Sequence, residues 1–275
     1  MGSNSYVWIG NQEKYLDQPF VLEIQHKVVF GAYGGNSSAG ASKNEDAALC
    51  WSAEDGNWEL TAILDAHNSS ESAELVIQEL QDRQPRLTAC LGLPEAEAFQ
   101  QLQNEIIGML TEENFKLKCR AVKGETSFLV CARKGSFLWW FTIGDCSLYL
   151  FHEELAARGQ YALIQRQYYE WIGNQSAFHS AVPCYSTGIR ELREGRNLIF
   201  LATDGLLEFG EHVYEHSAAL YEKVTTPDGT LSQRILALLE DVHQGKGQDS
   251  ATILSWVVES TNSGCYPSDE VRRIE

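Results

Sequence analysis

The feature that most constrains the fold is a series of short apolar runs that occur in pairs. The runs 45–53 and 58–66 are separated by a stretch with an Asp-Gly turn signal, and 126–135 and 136–145 meet at a Lys-Gly dipeptide. A further run, 147–154, continues this series. Apolar runs of this length between turn signals are typical of strands joined in antiparallel hairpins.

Three longer stretches have the periodicity of helices. The stretch 95–120 carries an apolar stripe and follows a proline, which is typical of a helix start, and 231–243 predicts a later helix. In 70–84, apolar side chains recur with the helical spacing i, i+3, i+4, i+7 at Ala73, Val76, Ile77 and Leu80. Hairpin strands with helices grouped between them predict an α+β fold of layered antiparallel sheets.

Composition excludes several classes of protein. The chain has 275 residues, 44% of them hydrophobic, so a disordered chain is not expected. Its formal net charge is −17, which repels phosphate backbones and argues against nucleic-acid partners. The seven cysteines are odd in number and include no C-x-x-C pair, which predicts reduced thiols and a cytoplasmic protein. We recognise neither a signal peptide nor a membrane span, so no membrane partner is expected.

Aspartates lie where predicted strands begin or end. Each has an ordinary explanation as a turn former, but the set is harder to explain in that way. If the strand ends meet, two carboxylates about 5 Å apart repel by roughly 3 kcal/mol at an effective dielectric constant of 20. Such a site needs cations, and hard oxygen ligands select Mg²⁺ or Mn²⁺ over zinc. The set comprises Asp46, Asp65, Asp204 and Asp249, with Asp145 as a fifth member.

Two divalent ions about 3.5–4 Å apart can share a water, lower its pKa and direct it at phosphorus. The aspartate set therefore predicts a phosphate-ester hydrolase that uses two metal ions. Single substitutions such as Asp204→Asn are expected to weaken metal binding.

Six short motifs occur in the order found in the metal-dependent protein serine/threonine phosphatases, the PPM or type 2C family. The chain resembles that family over residues 40–258. The motifs are NEDA (44–47), LDAH (64–67), GETS (124–127), IGDCS (143–147), ATDGLLE (202–208) and QDSAT (248–252). The resemblance implies a four-layer α/β/β/α sandwich with two antiparallel sheets flanked by helices. Its implied reaction is the hydrolysis of phosphoserine and phosphothreonine on phosphoprotein substrates.

The resemblance also implies a site for two Mg²⁺ or Mn²⁺ ions, with a third, weaker ion. Asp65 resembles the aspartate that bridges the two ions, and the carbonyl of Ala66 resembles a further ligand. His67 resembles the general acid that protonates the leaving alkoxide, a contribution of about 10²–10⁴ in rate. The other implied ligands are Asp204 and Asp249 for one ion, Glu45 and Asp46 through water for the second, and Asp145 for the third.

The chain departs from the family pattern in two places. The usual glycines around the histidine are replaced by Ala66, Asn68 and Ser69. The arginine that often grips the substrate phosphate is replaced by Ala41, so the substrate contact predicted from the sequence is Lys43. An ammonium group cannot form the planar fork of a guanidinium, and an arginine such as Arg190 or Arg193 is an alternative source.

We expect one phosphatase-like domain over 1–275, with a loop-rich flap segment (155–196) and a polar tail (259–275). Three alternatives remain open: a binding or regulatory module that kept the fold and lost turnover, a small phosphorylated metabolite as substrate, and a cysteine-dependent phosphatase. The last would use Cys184 and Arg190, which match the pattern C-x5-R. The match lacks the strand–loop–helix context in which such a loop binds phosphate.

Overall fold

The computed structural model describes residues 3–25 and 27–266, which contain twelve β-strands and seven α-helices. The strands are β1 (Ser3–Ile9), β2 (Phe20–Ile24), β3 (Val28–Tyr33), β4 (Ala47–Ala53), β5 (Trp58–His67), β6 (Glu125–Lys134), β7 (Phe137–Ile143), β8 (Ser147–Phe151), β9 (Ile172–Gly173), β10 (Ser186–Glu191), β11 (Gly195–Ala202) and β12 (Ala251–Ser260). The helices are α1 (Glu71–Asp82), α2 (Gln84–Leu91), α3 (Glu95–Thr111), α4 (Glu113–Ala121), α5 (Glu153–Ala156), α6 (Ser217–Thr225) and α7 (Leu231–Gln244).

The strands form two antiparallel sheets. The first has the order β1-β4-β5-β6-β7-β10, with β9 paired to β6, and the second has the order β2-β3-β12-β11-β8. The two predicted hairpins are confirmed as β4–β5 and β6–β7, with Ala47 opposite Leu64 in the first and Phe128 opposite Ile143 in the second.

Alternating side chains place the two sheets face to face. On β6, Leu129 and Cys131 point into a cluster shared with Ile199 and Trp256 of the second sheet. The neighbouring Phe128 and Val130 point the other way, into a cluster with the helices. Because both faces of the central strands are buried, these strands are apolar runs rather than strict alternations.

Helices cover the outer face of each sheet. Helices α1 to α4 contribute to the cluster on the first sheet, and α6 and α7 contribute to the cluster on the second. The predicted α+β sandwich with flanking helices is therefore confirmed. Helix α7 begins where predicted, because the side chains of Thr230 and Gln233 form a capping box at its first turn.

The predicted helix over 95–120 is interrupted. Glu112 has φ −59° and ψ 131°, which is extended backbone, so α3 ends at Thr111 and α4 begins at Glu113. The hydroxyl of Thr111 donates to the carbonyl of Ile107 at 2.7 Å, a local contact that competes with continuation of the helix.

The run 147–154 does not continue the first sheet, contrary to the prediction. It forms β8, which pairs with β11 at the edge of the second sheet, with Leu148 opposite Leu201. The chain changes sheets after Gly144, whose φ of +92° lies in the left-handed region. A Cβ at this position would lie 2.3 Å from the hydroxyl oxygen of Ser127, so the turn also requires a close approach.

The flap segment (155–196) contains more regular structure than its sequence indicates. Its C-terminal part forms β10, which pairs with β7 as an edge strand of the first sheet. Half of its side chains face solvent, so its sequence lacks a strong apolar pattern. The polar tail is described only as far as Tyr266, and residues 267–275 lie outside the described residues. No helix within the described part of the chain has the length and apolar character of a membrane span.

Candidate active site

The predicted acids converge because the strand ends that carry them meet at one edge of the two sheets. Asp65 lies at the end of β5, Asp145 follows β7, Asp204 follows β11 and Asp249 precedes β12. Together they line a cavity of about 360 Å³. The other residues that line it are Lys43, Glu45, Ala66, His67, Asn68 and Ser127.

Three of the carboxylates are close enough to share a cation. One oxygen from each of Asp65, Asp145 and Asp204 lies within 4.8 Å of the other two. The backbone N–H of Asp204 also points to Oδ2 of Asp65, at 3.4 Å. The ends of β5, β7 and β11 therefore meet at the place where the three carboxylates converge.

The electrostatics of this group favour a cation. Burial raises the pKa of Asp204 to about 7, with further contributions from the negative charges of Asp249 and Asp145. Burial and repulsion by Asp204 raise the pKa of Asp65 well above its usual value. A divalent ion would relieve this repulsion, and an all-oxygen donor set suits Mg²⁺ or Mn²⁺. The donor chemistry of the cavity therefore fits the metal ions predicted from the sequence.

Asp46 lies behind the cavity rather than in its wall. It is fully buried and accepts hydrogen bonds from the hydroxyls of Thr203 at 3.0 Å, Ser250 at 3.2 Å and Thr252 at 2.6 Å. Burial raises its pKa well above the usual value, and repulsion by Asp249 adds to this although the hydroxyls oppose it. Asp46 thus ties together the ends of β11 and β12, and its role as a water-mediated ligand stays a prediction.

Glu45 and Lys43 form an ion pair at the opposite side of the cavity. Glu45 is buried, whereas the side chain of Lys43 is 55% exposed. The carboxylate of Glu45 therefore neutralises the charge of Lys43. Ala41, in the same loop, lines an adjoining cavity of about 230 Å³ and brings no charge to it.

His67 lies at the rim with its side chain 53% exposed. Its Nε2 is 3.8 Å from Oε2 of Glu125, and its ring packs edge-on against Trp171 with centroids 5.5 Å apart. These contacts hold the imidazole beside the acids while leaving it open to a ligand. Its function as a general acid stays a prediction.

Asn68 and Gly124 meet the backbone requirements of the turn after His67, where the resembled family has two glycines. Asn68 has φ +73°, a left-handed conformation that asparagine tolerates better than most residues. Close approach is provided from the other strand, because a Cβ on Gly124 would lie 2.4 Å from the carbonyl oxygen of His67. The turn that presents His67 therefore keeps its tight geometry without a Gly-Gly pair.

Arg166, which no sequence pattern indicates, lies beside the acid cluster. Its Nη2 lies 3.6 Å from Oδ2 of Asp204 and 4.0 Å from Oδ2 of Asp145. The sequence suggests Arg190 or Arg193 as a substitute for the arginine that is absent at position 41. Arg193 instead pairs with Glu154 at 2.6 Å. Arg166 stands in an irregular segment with no motif around it, so only the folded chain reveals its position.

The cysteine-dependent alternative is wrong on geometry. Cys184 is exposed, and the rest of the motif from Ser186 to Arg190 belongs to the extended strand β10. A strand advances about 3.3 Å per residue, so Cys184 and Arg190 lie far apart instead of around one phosphate. No helix follows the cysteine to bind an anion at its N-terminus, since β11 comes next in the described chain.

Comparisons with known proteins bear on the fold. The sequence matches no protein-family model and no curated protein. Among solved structures, a variant of a bacterial serine phosphatase aligns with a TM-score of 0.60 and 16% identity, over 94% of this chain and 100% of that one. A serine/threonine phosphatase from Staphylococcus aureus aligns with a TM-score of 0.56 and 15% identity, over 88% of this chain and 94% of that one.

A third structure, RsbX in complex with magnesium, aligns with a TM-score of 0.54 and 14% identity, over 88% of this chain and 100% of that one. The chain therefore has the fold of solved serine/threonine phosphatases over nearly all of its length. At this level of identity the similarity establishes the fold, and the activity has to be argued from the site.

Proposed function

We propose that this protein hydrolyses phosphoserine and phosphothreonine in phosphoproteins and requires Mg²⁺ or Mn²⁺. The observation that carries the proposal is the approach of Asp65, Asp145 and Asp204 to within 4.8 Å of one another at converging strand ends. Carboxylates this crowded are costly without cations, and the fold is that of phosphatases. A protein as acidic as this one needs such ions to accept a phosphate dianion.

In this proposal Asp65 would help to hold both ions, and Asp204 and Asp249, which line the same cavity, would be further ligands of one of them. Glu45 and the carbonyl of Ala66 contribute to the second site, with Asp46 behind them and Asp145 near a third, weaker site. When bound, two divalent ions would supply an activated water and neutralise charge on the phosphate.

His67 is proposed to donate a proton to the leaving alkoxide of serine or threonine. The imidazole is exposed at the rim, where the leaving side chain of a peptide would lie. Oε2 of Glu125 lies 3.8 Å from Nε2 of the imidazole, and the ring also packs against Trp171. The exposed face of the site suits a protein segment, which is why a phosphoprotein is favoured over a small metabolite.

The test is phosphate release from a phosphothreonine peptide by the full-length protein, with Mn²⁺ and then with excess chelator. Wild type is expected to be active only with Mn²⁺, and Asp204→Asn is expected to be inactive in both conditions. Asp82→Asn is the matched control, because Asp82 is exposed at the end of α1 and, among the described residues, accepts a side-chain hydrogen bond only from helix residue Gln78. Equal activity of wild type and Asp204→Asn would contradict the proposal.

One observation favours a second candidate, a binding module that retained the fold. Position 41, where the resembled family often has an arginine that binds the substrate phosphate, is alanine here. Lys43 does not replace that arginine freely, because it is paired with Glu45. The same experiment separates the candidates: Mn²⁺ binding without phosphate release under any tested condition would favour the binding module.

A further inference from the structure

We propose that Arg166, from the flap segment, is the residue that grips the substrate phosphate in this protein. The inference rests on the proposed function, because it concerns the same site. It assigns to the flap segment a contact that the loop containing Ala41 cannot make.

The backbone on both sides of Arg166 is fixed to the core of the site. The N–H of Leu163 donates to the carbonyl of Leu148 at 2.9 Å, and the N–H of Gln167 donates to the carbonyl of Gly144 at 3.0 Å. The side chain adds a third tie, since Nε of Arg166 donates to the carbonyl of Asp145 at 3.1 Å. The arginine is therefore carried by the same turn that positions Asp145.

The guanidinium lies against the acids with part of its donor set unused. Nη2 donates to Oε1 of Glu208 at 2.5 Å, but Asp204 and Asp145 lie beyond hydrogen-bond distance at 3.6 and 4.0 Å. Nη1 makes no hydrogen bond among the described residues, and Glu215 lies 3.9 Å from it. The side chain is only 14% exposed, so these donors are held near the cavity.

An aromatic ring helps to fix the same group. The guanidinium carbon of Arg166 lies 5.1 Å from the centre of the Tyr168 ring, a cation–π distance. Tyr168 is itself 56% exposed, whereas the Arg166 side chain is only 14% exposed. A fixed planar fork is the geometry that binds two phosphate oxygens at once.

The described residues that line the cavity offer an incoming phosphate no unpaired lysine or arginine. Among the described residues that line it, Lys43 is the only lysine or arginine, and it is already paired with Glu45. Divalent ions on Asp204 and Asp145 would take the charge that now attracts Arg166. The free donors of the guanidinium would then face an incoming phosphate instead of carboxylates.

The test uses the full-length protein and compares Arg166→Ala and Arg166→Lys with wild type. Binding of inorganic phosphate to the Mg²⁺-loaded protein is measured by calorimetry, and KM and kcat are measured on the phosphothreonine peptide. Loss of a charge-assisted bidentate contact is expected to weaken phosphate binding and raise KM by about 10- to 100-fold, with a smaller change in kcat. Arg166→Lys is expected to recover only part of the loss, because an ammonium is not a fork.

Arg193→Ala is the matched control, because Arg193 belongs to the same flap segment and contacts Glu154 and Tyr266 away from the acids. It is expected to leave phosphate affinity and KM unchanged. Circular dichroism and the melting temperature establish that each variant is folded, and Arg166→Lys serves if Arg166→Ala does not fold.

Phosphate affinity and KM within twofold of wild type in a folded Arg166 variant would overturn the inference. Absence of phosphate binding by the Mg²⁺-loaded wild type would also overturn it. Phosphate binding that depends on Arg166 in a wild type that releases no phosphate from the peptide would support the inference and contradict the proposed function.

Discussion

His67 ends β5 with its imidazole exposed, beside acids that are partly or fully buried. Asp65 lies in the cavity wall with the other acids, whereas the imidazole two residues later is exposed at the rim. The proposed roles of a metal ligand and a proton donor fit this difference in exposure. The contact with Trp171 sets the orientation of the ring.

Replacing His67 by glutamine is therefore expected to slow reactions that need a proton on the leaving group. On a phosphothreonine peptide kcat should fall by about 10²–10⁴. On para-nitrophenyl phosphate, whose leaving group is the stable para-nitrophenolate, the change in kcat should be small. Steady-state kinetics on both substrates makes the comparison, and an equal loss on both would contradict a general-acid role.

Asp46 illustrates how a buried carboxylate is satisfied by neutral donors. Its hydrogen bond from Thr252 is the shortest of the three hydroxyl contacts, at 2.6 Å. Thr252→Val keeps the shape of the side chain and removes this donor, so the free energy of unfolding should fall by about 1–3 kcal/mol. Urea denaturation measures the change.

The control for this variant is Thr225→Val, on the exposed C-terminal turn of α6, where the hydroxyl donates to the helix carbonyl of Tyr221 and to no other group in the described part of the chain. Its unfolding free energy should stay within about 0.5 kcal/mol of wild type. A Thr252→Val protein as stable as this control would show that the hydroxyl contributes nothing to Asp46.

The position of a single residue can be predicted from the sequence where that residue belongs to a strand or flanks one. Asp65 lies at the end of an apolar strand, Asp204 follows one and Asp249 precedes one, and all three line one cavity. Arg166 has no such position, since it stands in irregular chain. Its place depends on hydrogen bonds to Leu148, Gly144 and Asp145, which no local pattern indicates.

The ends of β11 and β12 approach each other so closely that one position requires glycine. A Cβ on Gly205 would lie 2.0 Å from the carbonyl oxygen of Ser250. Gly205 follows Asp204, and Ser250 follows Asp249, so this contact sets the spacing of the two acids. The strand pair thus sets the geometry of the proposed cation site.

Gly205→Ala is expected to force the two strand ends apart, lowering the free energy of unfolding by about 1–3 kcal/mol. It should also weaken Mn²⁺ binding, measured by calorimetry on the chelator-stripped protein. Gly108→Ala is the control, because Gly108 lies in α3 and a Cβ there would meet none of the described residues within 4 Å beyond its own helical turns. That substitution should stabilise the protein by about 0.5–1 kcal/mol.

Unchanged Mn²⁺ affinity in Gly205→Ala would contradict the idea that the strand ends set the spacing of the acids. At this scale the sequence predicts the hairpins β4–β5 and β6–β7, because each is a local pairing across a turn. It does not predict that β8 joins the second sheet or that β10 joins the first. Those pairings depend on contacts with distant strands, which local periodicity does not contain.

Across the whole molecule, the layered fold follows from burial on both faces of each sheet. The central strands bury one set of side chains between the sheets and the alternate set under helices, which accounts for the continuous apolar runs. The order of elements along the chain therefore predicts the layers well. It predicts the edges poorly, since edge strands such as β1 and β10 are partly exposed.

The convergence of carboxylates at one edge predicts that the stability of the fold depends on cations. The pKa of Asp204 is raised to about 7 by burial and by its acidic neighbours, so the ionised cluster opposes folding at neutral pH. Mn²⁺ at 100 times its Kd should raise the free energy of unfolding by about 2.7 kcal/mol. Thermal denaturation with Mn²⁺ and with chelator measures the effect.

Asp204→Asn should reverse the order of stabilities. In chelator the variant has less repulsion and should melt above wild type, whereas with Mn²⁺ it should melt below wild type because it has lost a ligand. Asp82→Asn should follow wild type in both conditions. Parallel shifts of wild type and Asp204→Asn would show that the stabilising ion binds elsewhere.

Cation binding by the converged acids is tested most directly by calorimetric titration of the chelator-stripped, full-length protein with Mn²⁺. We expect wild type to bind at least two ions, and we expect Asp65→Asn, which alters the carboxylate proposed to hold both, to lose measurable binding at that site. A wild-type isotherm no different from that of Asp65→Asn would contradict the existence of a metal centre and, with it, the proposed reaction.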